Sequence, residues 1–154
     1  RQRLLVHTPS GVMGRDTTER SPQKWLTYNR QHYIAAQADR LATTDVVLVE
    51  DTFSYYKVAH ALDRSGIACD VICTLGTSIH DSLMLHLLQR YLRVYSFYDG
   101  DAAGWRGCNT NMKRLHASSI YGGGDHIECA PPGQDPKDMS LDAIAAHVSG
   151  LLAT

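Results

Sequence analysis

No run of apolar residues in this 154-residue chain approaches the ~20 needed to cross a bilayer, and the N-terminus lacks the charged-then-apolar pattern of a signal peptide. A soluble, cytoplasmic protein with no membrane partner is therefore expected. Cysteine is sparse. The four residues, Cys69, Cys73, Cys108 and Cys129, have neither the paired CxxC spacing of a structural zinc site nor the density of a disulfide-stapled secreted domain. Packed or idle thiols in a reducing compartment are expected. An evident Ser/His/Asp or Cys/His set is missing, which argues against covalent nucleophilic catalysis. Gly122-Gly123-Gly124 lacks the spacing of a phosphate cradle and reads as a flexible loop. His80 and His86 are six apart on an expected helix and face different sides, so they do not form a metal pair. Tyr55 and Tyr56 read as packing residues rather than as a covalent nucleophile.

What is present is enough apolar material, 44% of residues, for one globular core. The chain opens at Arg1 without a methionine, as expected of a piece of a longer polypeptide. The net charge of -1 hides an asymmetry: residues 1–40 carry seven basic and three acidic side chains, a balance of +4, which leaves -5 for the remainder. Such a division suits a protein that attracts a phosphate backbone with one part and holds cations with another; scattered solvated charge would produce the same count.

Leu4–His7 and Val12–Gly14 flank the turn signal Pro9-Ser10-Gly11 and predict a β-hairpin. Arg15–Asn29 reads as a polar excursion around Lys24-Trp25-Leu26. Val46-Val47-Leu48-Val49 is a β-branched run expected of a strand covered on both faces, followed by a helix over Ser54–Arg64. Cys69–Leu75 and Arg93–Tyr98 repeat the strand pattern, with helices expected over Ile79–Tyr91 and Trp105–Ala117. A strand near His126–Cys129, the Pro131-Pro132-Gly133 loop and a helix over Leu141–Leu152 complete the series. Strand alternating with helix predicts an α/β fold with an open, mainly parallel sheet and helices on both faces.

Ligands of such sheets sit beyond the carboxyl ends of the strands. Glu50-Asp51 ends one strand, Gly76-Thr77-Ser78 a second, and Asp99-Gly100-Asp101 a third. Asp99 and Asp101 are two apart and share a side in extended chain, with Gly100 leaving room for a ligand. Two carboxylates about 4 Å apart repel by roughly 4 kcal/mol at an effective dielectric near 20, a penalty that a divalent cation removes. With Glu50 they make a hard oxygen donor set suited to Mg²⁺ or Mn²⁺ and to nucleotidyl transfer. Single strand-end acids also serve as helix caps, which is the reading for Asp51.

Val46–Glu50, Leu75-Gly76-Thr77-Ser78, Phe97-Tyr98-Asp99-Gly100-Asp101-Ala102-Ala103-Gly104 and Gly133-Gln134-Asp135-Pro136-Lys137-Asp138 resemble, in order, the motifs of the toprim domain of bacterial-type DNA primases. Val12-Met13-Gly14-Arg15 and Pro22–Thr27 resemble the stretch that precedes toprim in those primases, so the resemblance spans nearly the whole chain. It implies a basic segment over 1–42, the end of the primase-specific subdomain, and a toprim catalytic domain over 43–154. It further implies that Glu50, Asp99 and Asp101 bind catalytic metal, with Asp135 and Asp138 as supporting acids. Arg15 and Lys24 would contact nucleotide phosphates or template. The implied activity is synthesis of RNA primers from nucleoside triphosphates on single-stranded DNA, beside a replicative helicase.

The chain departs from the family pattern in two places: Asp51 replaces the glycine after the first glutamate, and Pro136-Lys137 separates two acids that a lone proline usually divides. The compact, variant motifs suggest a phage-encoded primase. Lys57, Arg106, Lys113 and Arg114 read as solvent-face residues, with Arg106 near enough to the acidic loop to touch a phosphate. Trp25 suits either base stacking or anchoring of the flank. A toprim nuclease and a receiver-like phosphoacceptor module are the rival readings.

Overall fold

The computed structural model describes residues 2–8, 11–18, 20–28, 33–35, 43–118, 125–127 and 129–153, arranged around two sheets. Strands β1 (Arg3–Thr8), β2 (Gly11–Asp16) and β3 (Trp25–Thr27) form an antiparallel sheet in that order. The expected hairpin is present, with Thr8 opposite Gly11; Pro9 and Ser10 lie outside the described residues. Strand β3 corrects the reading of Arg15–Asn29 as a polar excursion. It pairs with β2 at Met13↔Thr27, Gly14↔Leu26 and Arg15↔Trp25. Three residues are too few to show a two-residue period, and a ladder offered by β2 defines the strand instead.

The second sheet contains β4 (Ile34–Ala35), β5 (Asp45–Val49), β6 (Asp70–Cys73), β7 (Arg93–Ser96) and β8 (Asp125–Ile127), in the order β4-β6-β5-β7-β8. Four strands are parallel, and β4 is an antiparallel edge. Strand β4 was not foreseen; two residues carry no pattern of their own. The interval 36–42, where the boundary between the two expected segments falls, lies outside the described residues, as does Gly122-Gly123-Gly124.

Helices α1 (Thr52–Ser65), α2 (Asp81–Arg90), α3 (Ala102–His116) and α4 (Leu141–Leu152) cover this sheet. Side chains alternate along β5. Val47 and Val49 pack with Val58 and Leu62 of α1 and Ile144 and Val148 of α4. Val46 and Leu48 pack on the opposite face with Leu83 and Leu87 of α2 and Met112 and Leu115 of α3. Because both faces are covered, every residue from Val46 to Val49 is fully buried, each stabilising the fold by roughly 1.5–3 kcal/mol. This is the open, mainly parallel α/β sheet with helices on both faces that the alternating pattern predicts.

Cys73, Cys108 and Cys129 are buried and Cys69 is half-buried, all as free thiols. The Sγ atoms of Cys108 and Cys129 are 3.1 Å apart in the core beneath α3. Among the described residues, no helix is long and apolar enough to cross a membrane.

Candidate active site

Strand β5 leads through α1 to β6 on one side of it, and β6 leads through α2 back across to β7 on the other. Strand order therefore reverses between β5 and β7, which opens a crevice at their carboxyl ends. Glu50 follows β5, and Asp99 follows β7 after the buried pair Phe97-Tyr98. The Asp99 backbone N–H donates to Glu50 Oε1 at 3.1 Å, tying the two strand ends together. The third strand end joins them through the Gly76 N–H, which donates to the Glu50 carbonyl at 2.9 Å.

Two glycines make this closeness possible. A Cβ on Gly104, in the first turn of α3, would lie 2.1 Å from the Asp99 carbonyl oxygen and 2.9 Å from Glu50 Oε1. A Cβ on Gly100 would lie 2.1 Å from the Pro131 carbonyl oxygen. The room at Gly100, expected to admit a ligand, is instead occupied by the 130–134 loop. That loop is fastened by Gly100 N–H to the Gln134 carbonyl at 2.8 Å and Gly133 N–H to the Gly100 carbonyl at 3.0 Å. The role of Gly104 was not separable from the motif in the sequence, because one of the groups it makes room for, the Glu50 carboxylate, lies on another strand end.

Asp51 caps α1, accepting from the Phe53 and Ser54 N–H groups at 2.7 and 3.1 Å, as expected of a strand-end acid before a helix. Asp101 caps α3 through Oδ1, which accepts from Ala103 and Gly104 at 2.8 and 2.7 Å. Asp101 is exposed, whereas Glu50 and Asp99 are half-buried. Burial pushes the Glu50 carboxyl up to about 7 from 4.5, the charge of Asp99 adds to it, and the Asp99 amide opposes it. Burial likewise raises Asp99 to about 6 from 3.8; Lys137 opposes this, while Asp135, Asp51 and Asp101 reinforce it.

Lys137 was not singled out by sequence reasoning, yet its Nζ stands among the acids. It pairs with Asp135, lies 3.4 Å from Asp51 Oδ2 and 3.7 Å from Asp99 Oδ2, and is about two-thirds buried. Burial works against its charge, but the Asp135 hydrogen bond and the fields of Asp51 and Asp99 outweigh burial and raise its pKa. Asp138 is exposed on the turn after Asp135 and makes no side-chain ion pair with this cluster among the described residues.

The donor chemistry fits a hard divalent cation. Asp99 Oδ1 is buried without a hydrogen-bond partner, and Asp99 and the adjoining Glu50 are carboxyls of raised proton affinity. Among the described residues, however, no three acidic, histidine or cysteine side chains converge closely enough to share one ion. In this arrangement the positive charge within the acid cluster is the Lys137 ammonium.

A cavity of about 180 Å³ joins the acids to the N-terminal sheet, with Met13, Trp25 and Leu75 opposite Glu50, Asp51 and Asp99. Next to it, Arg15, Lys24, Thr17 and Ser21 line a wider groove of about 570 Å³. The Arg15 guanidinium lies 5.2 Å from the Trp25 ring centre and 5.7 Å from that of Phe53. Trp25 packs on Phe53 of α1 with centres 5.4 Å apart, so it anchors the flank, while the exposed Phe53 leaves aromatic surface beside the groove. Thr52 Oγ1 with Met13 Sδ, and Tyr56 Oη with the His7 carbonyl at 2.9 Å, complete the junction between the sheets.

Arg106 is exposed on α3, one turn past Asp101. Two of the expected solvent-face residues are otherwise employed. Lys57 donates to the Lys137 carbonyl at 2.6 Å, and Arg114 donates to the Ile79 carbonyl and pairs with Asp81 at 2.7 Å. Both reach partners far away in sequence, so helical position alone could not reveal them. His80 caps α2, and His86 stacks on Tyr33.

The same architecture occurs in solved primases. The Aquifex aeolicus primase zinc-binding and RNA polymerase domains align over 98% of this chain and 39% of their own length, at TM-score 0.70 and 20% identity. The chain has the fold of a primase catalytic core. A DNA primase domain from Pseudomonas aeruginosa aligns over 97% of this chain and 51% of its own length, at TM-score 0.69 and 20% identity. A DnaG primase catalytic domain bound to single-stranded DNA gives TM-score 0.69 and 20% identity, over 96% of this chain and 51% of that one. The chain thus spans about half or less of the primase structures it matches. No family model matches the sequence, and no curated protein does.

Proposed function

We propose that this chain is the catalytic core of a DNA primase, joining ribonucleotides into primers on a single-stranded DNA template with Mg²⁺ or Mn²⁺. The observation that carries this reading is the joining of Glu50 to Asp99 at the switch point, beside a basic flank, within a fold shared with primase cores. One of those cores was solved with single-stranded DNA bound.

Glu50, Asp99 and Asp101 would hold the metal, with Asp135 and Asp138 in support. When bound, the metal supplies charge neutralisation for the triphosphate and acidifies the attacking 3′-hydroxyl. The chain's own residues do the positioning. Arg15 and Lys24 hold phosphates of nucleotide or template, and Arg106 approaches them from α3. The apolar wall of Met13, Trp25 and Leu75 limits water at the acids. The cap made by Asp101 fixes the first turn of α3 and with it Gly104 against Asp99. Positioning and electrostatics suffice for phosphoryl chemistry, so no side-chain nucleophile is needed.

In this reading residues 1–42 close the primase-specific subdomain and 43–154 are toprim. The setting favoured by the motif variations is a phage-encoded primase in the bacterial cytoplasm, working with a replicative helicase. The reading is tested by pyrophosphate release from ribonucleoside triphosphates with Mn²⁺. Stimulation by single-stranded DNA is the expected result. DNA degradation without nucleotides would point to a nuclease, and phosphate gained on Asp99 from a small phosphodonor to a receiver.

A further inference from the structure

Lys137 lies in the stretch where this chain departs from the primase motif, and its surroundings are unusual for a lysine. Its ammonium meets three carboxylates: it pairs with Asp135 and lies 3.4 Å from Asp51 and 3.7 Å from Asp99. Asp99 Oδ1, the other oxygen of that carboxylate, has no partner. The main chain at Lys137 is pinned: Lys57 Nζ donates to its carbonyl at 2.6 Å, Pro136 before it is buried, and the Asp138 N–H donates to the Asp135 carbonyl at 2.9 Å. The side chain, by contrast, is a flexible four-carbon stem bearing a point charge, able to leave without moving the turn that carries it.

We propose that Lys137 is an exchangeable internal counter-ion, whose ammonium neutralises Asp51, Asp99 and Asp135 until a divalent cation takes the Asp99 carboxylate and displaces it. The inference rests on the metal-dependent reading above and adds to it a competitor supplied by this chain. Like charges in one half-buried cluster repel, so the ammonium and the cation cannot both keep Asp99. Apparent metal affinity is then set by the strength of Lys137's hold as well as by the acids. The displaced ammonium becomes available to an incoming phosphate.

The test is Mn²⁺ binding to the full chain, followed by the electron paramagnetic resonance of free Mn²⁺, in the wild type and in the Lys137→Met and Lys137→Arg variants. Lys137→Met, similar in length and uncharged, should tighten binding by about tenfold or more, whereas Lys137→Arg should stay near the wild type. Equal or weaker binding by Lys137→Met, with binding lost in Asp99→Asn, would overturn the counter-ion and leave the metal-dependent reading standing. Absence of Mn²⁺ binding in every form would overturn both. A second measurement needs no variant: saturating Mg²⁺ should shift the Lys137 ammonium ¹⁵N resonance of the wild type, and an unmoved resonance would overturn the proposal.

Discussion

The backbone N–H of Asp99 and the carboxylate of Glu50 meet at 3.1 Å across two parallel strands, 49 residues apart in sequence. The contact holds two half-buried acids side by side at the point where strand order reverses. Both acids have raised proton affinity, chiefly through burial. The fold thus maintains a site that is electrostatically costly.

Removing the Glu50 charge should separate stability from function. Glu50→Gln retains an oxygen able to accept from the Asp99 amide and removes the repulsion with Asp99. Metal-free Glu50→Gln should therefore melt at the same temperature as the wild type or higher, while nucleotide incorporation falls by at least about a hundredfold. Calorimetry in chelator and an incorporation assay check the two halves.

The same shift fixes a pH dependence. A carboxyl raised from 4.5 to about 7 binds its proton more tightly in the native state than in the unfolded chain. Its contribution is full below about 4.5 and is lost as pH rises toward 7, so metal-free stability should fall across that window. The carboxyl is partly solvated, so the loss should be about 1 kcal/mol rather than the full value of the shift. Urea midpoints of wild type and Glu50→Gln in chelator, compared from pH 4.5 to 7.5, should diverge in that direction.

Two glycine substitutions should have opposite signs. Gly104→Ala drives a Cβ to 2.1 Å from the Asp99 carbonyl oxygen and should cost about 2–4 kcal/mol. Gly150→Ala lies within α4 and meets nothing within 4 Å, so it should stabilise by about 0.5–1 kcal/mol. Chemical denaturation of both variants checks the pair.

Arg15 and Lys24 line one groove but are held differently. Lys24 is exposed, so Lys24→Ala should weaken single-stranded DNA binding and lower the salt slope by about 1, with stability unchanged. Arg15→Ala should do the same and also lower the melting temperature, because its guanidinium covers Trp25 and Phe53. Fluorescence anisotropy across a salt series and thermal melts distinguish the two.

Much of this fold is legible locally. Val46–Val49 declared a doubly covered strand by lacking polar alternation, and α4 runs over the residues its pattern predicts. Acids at strand ends could be assigned to one crevice because a parallel sheet places those ends together. Strands β3 and β4 were illegible because they are too short to carry a period and are defined by their pairing partners. Lys57, Arg114, Lys137 and Gly104 were missed for a related reason: each acts through a residue brought near only by folding. The sequence presented Lys137 as a disturbance of a motif, and its place among three carboxylates depends on α1 and the 130–138 segment meeting beyond the carboxyl ends of β5 and β7.

The central claim, that the Glu50–Asp99 crevice joins nucleotides on a template, is tested most directly by one gel. Labelled ribonucleoside triphosphates, single-stranded DNA and Mg²⁺ or Mn²⁺ are incubated with the wild-type chain and with Asp99→Asn. Short oligonucleotides from the wild type that require template and metal, and that disappear in the variant, are the predicted result. Equal product from both proteins, or none from the wild type under conditions in which it binds metal and DNA, would contradict the account.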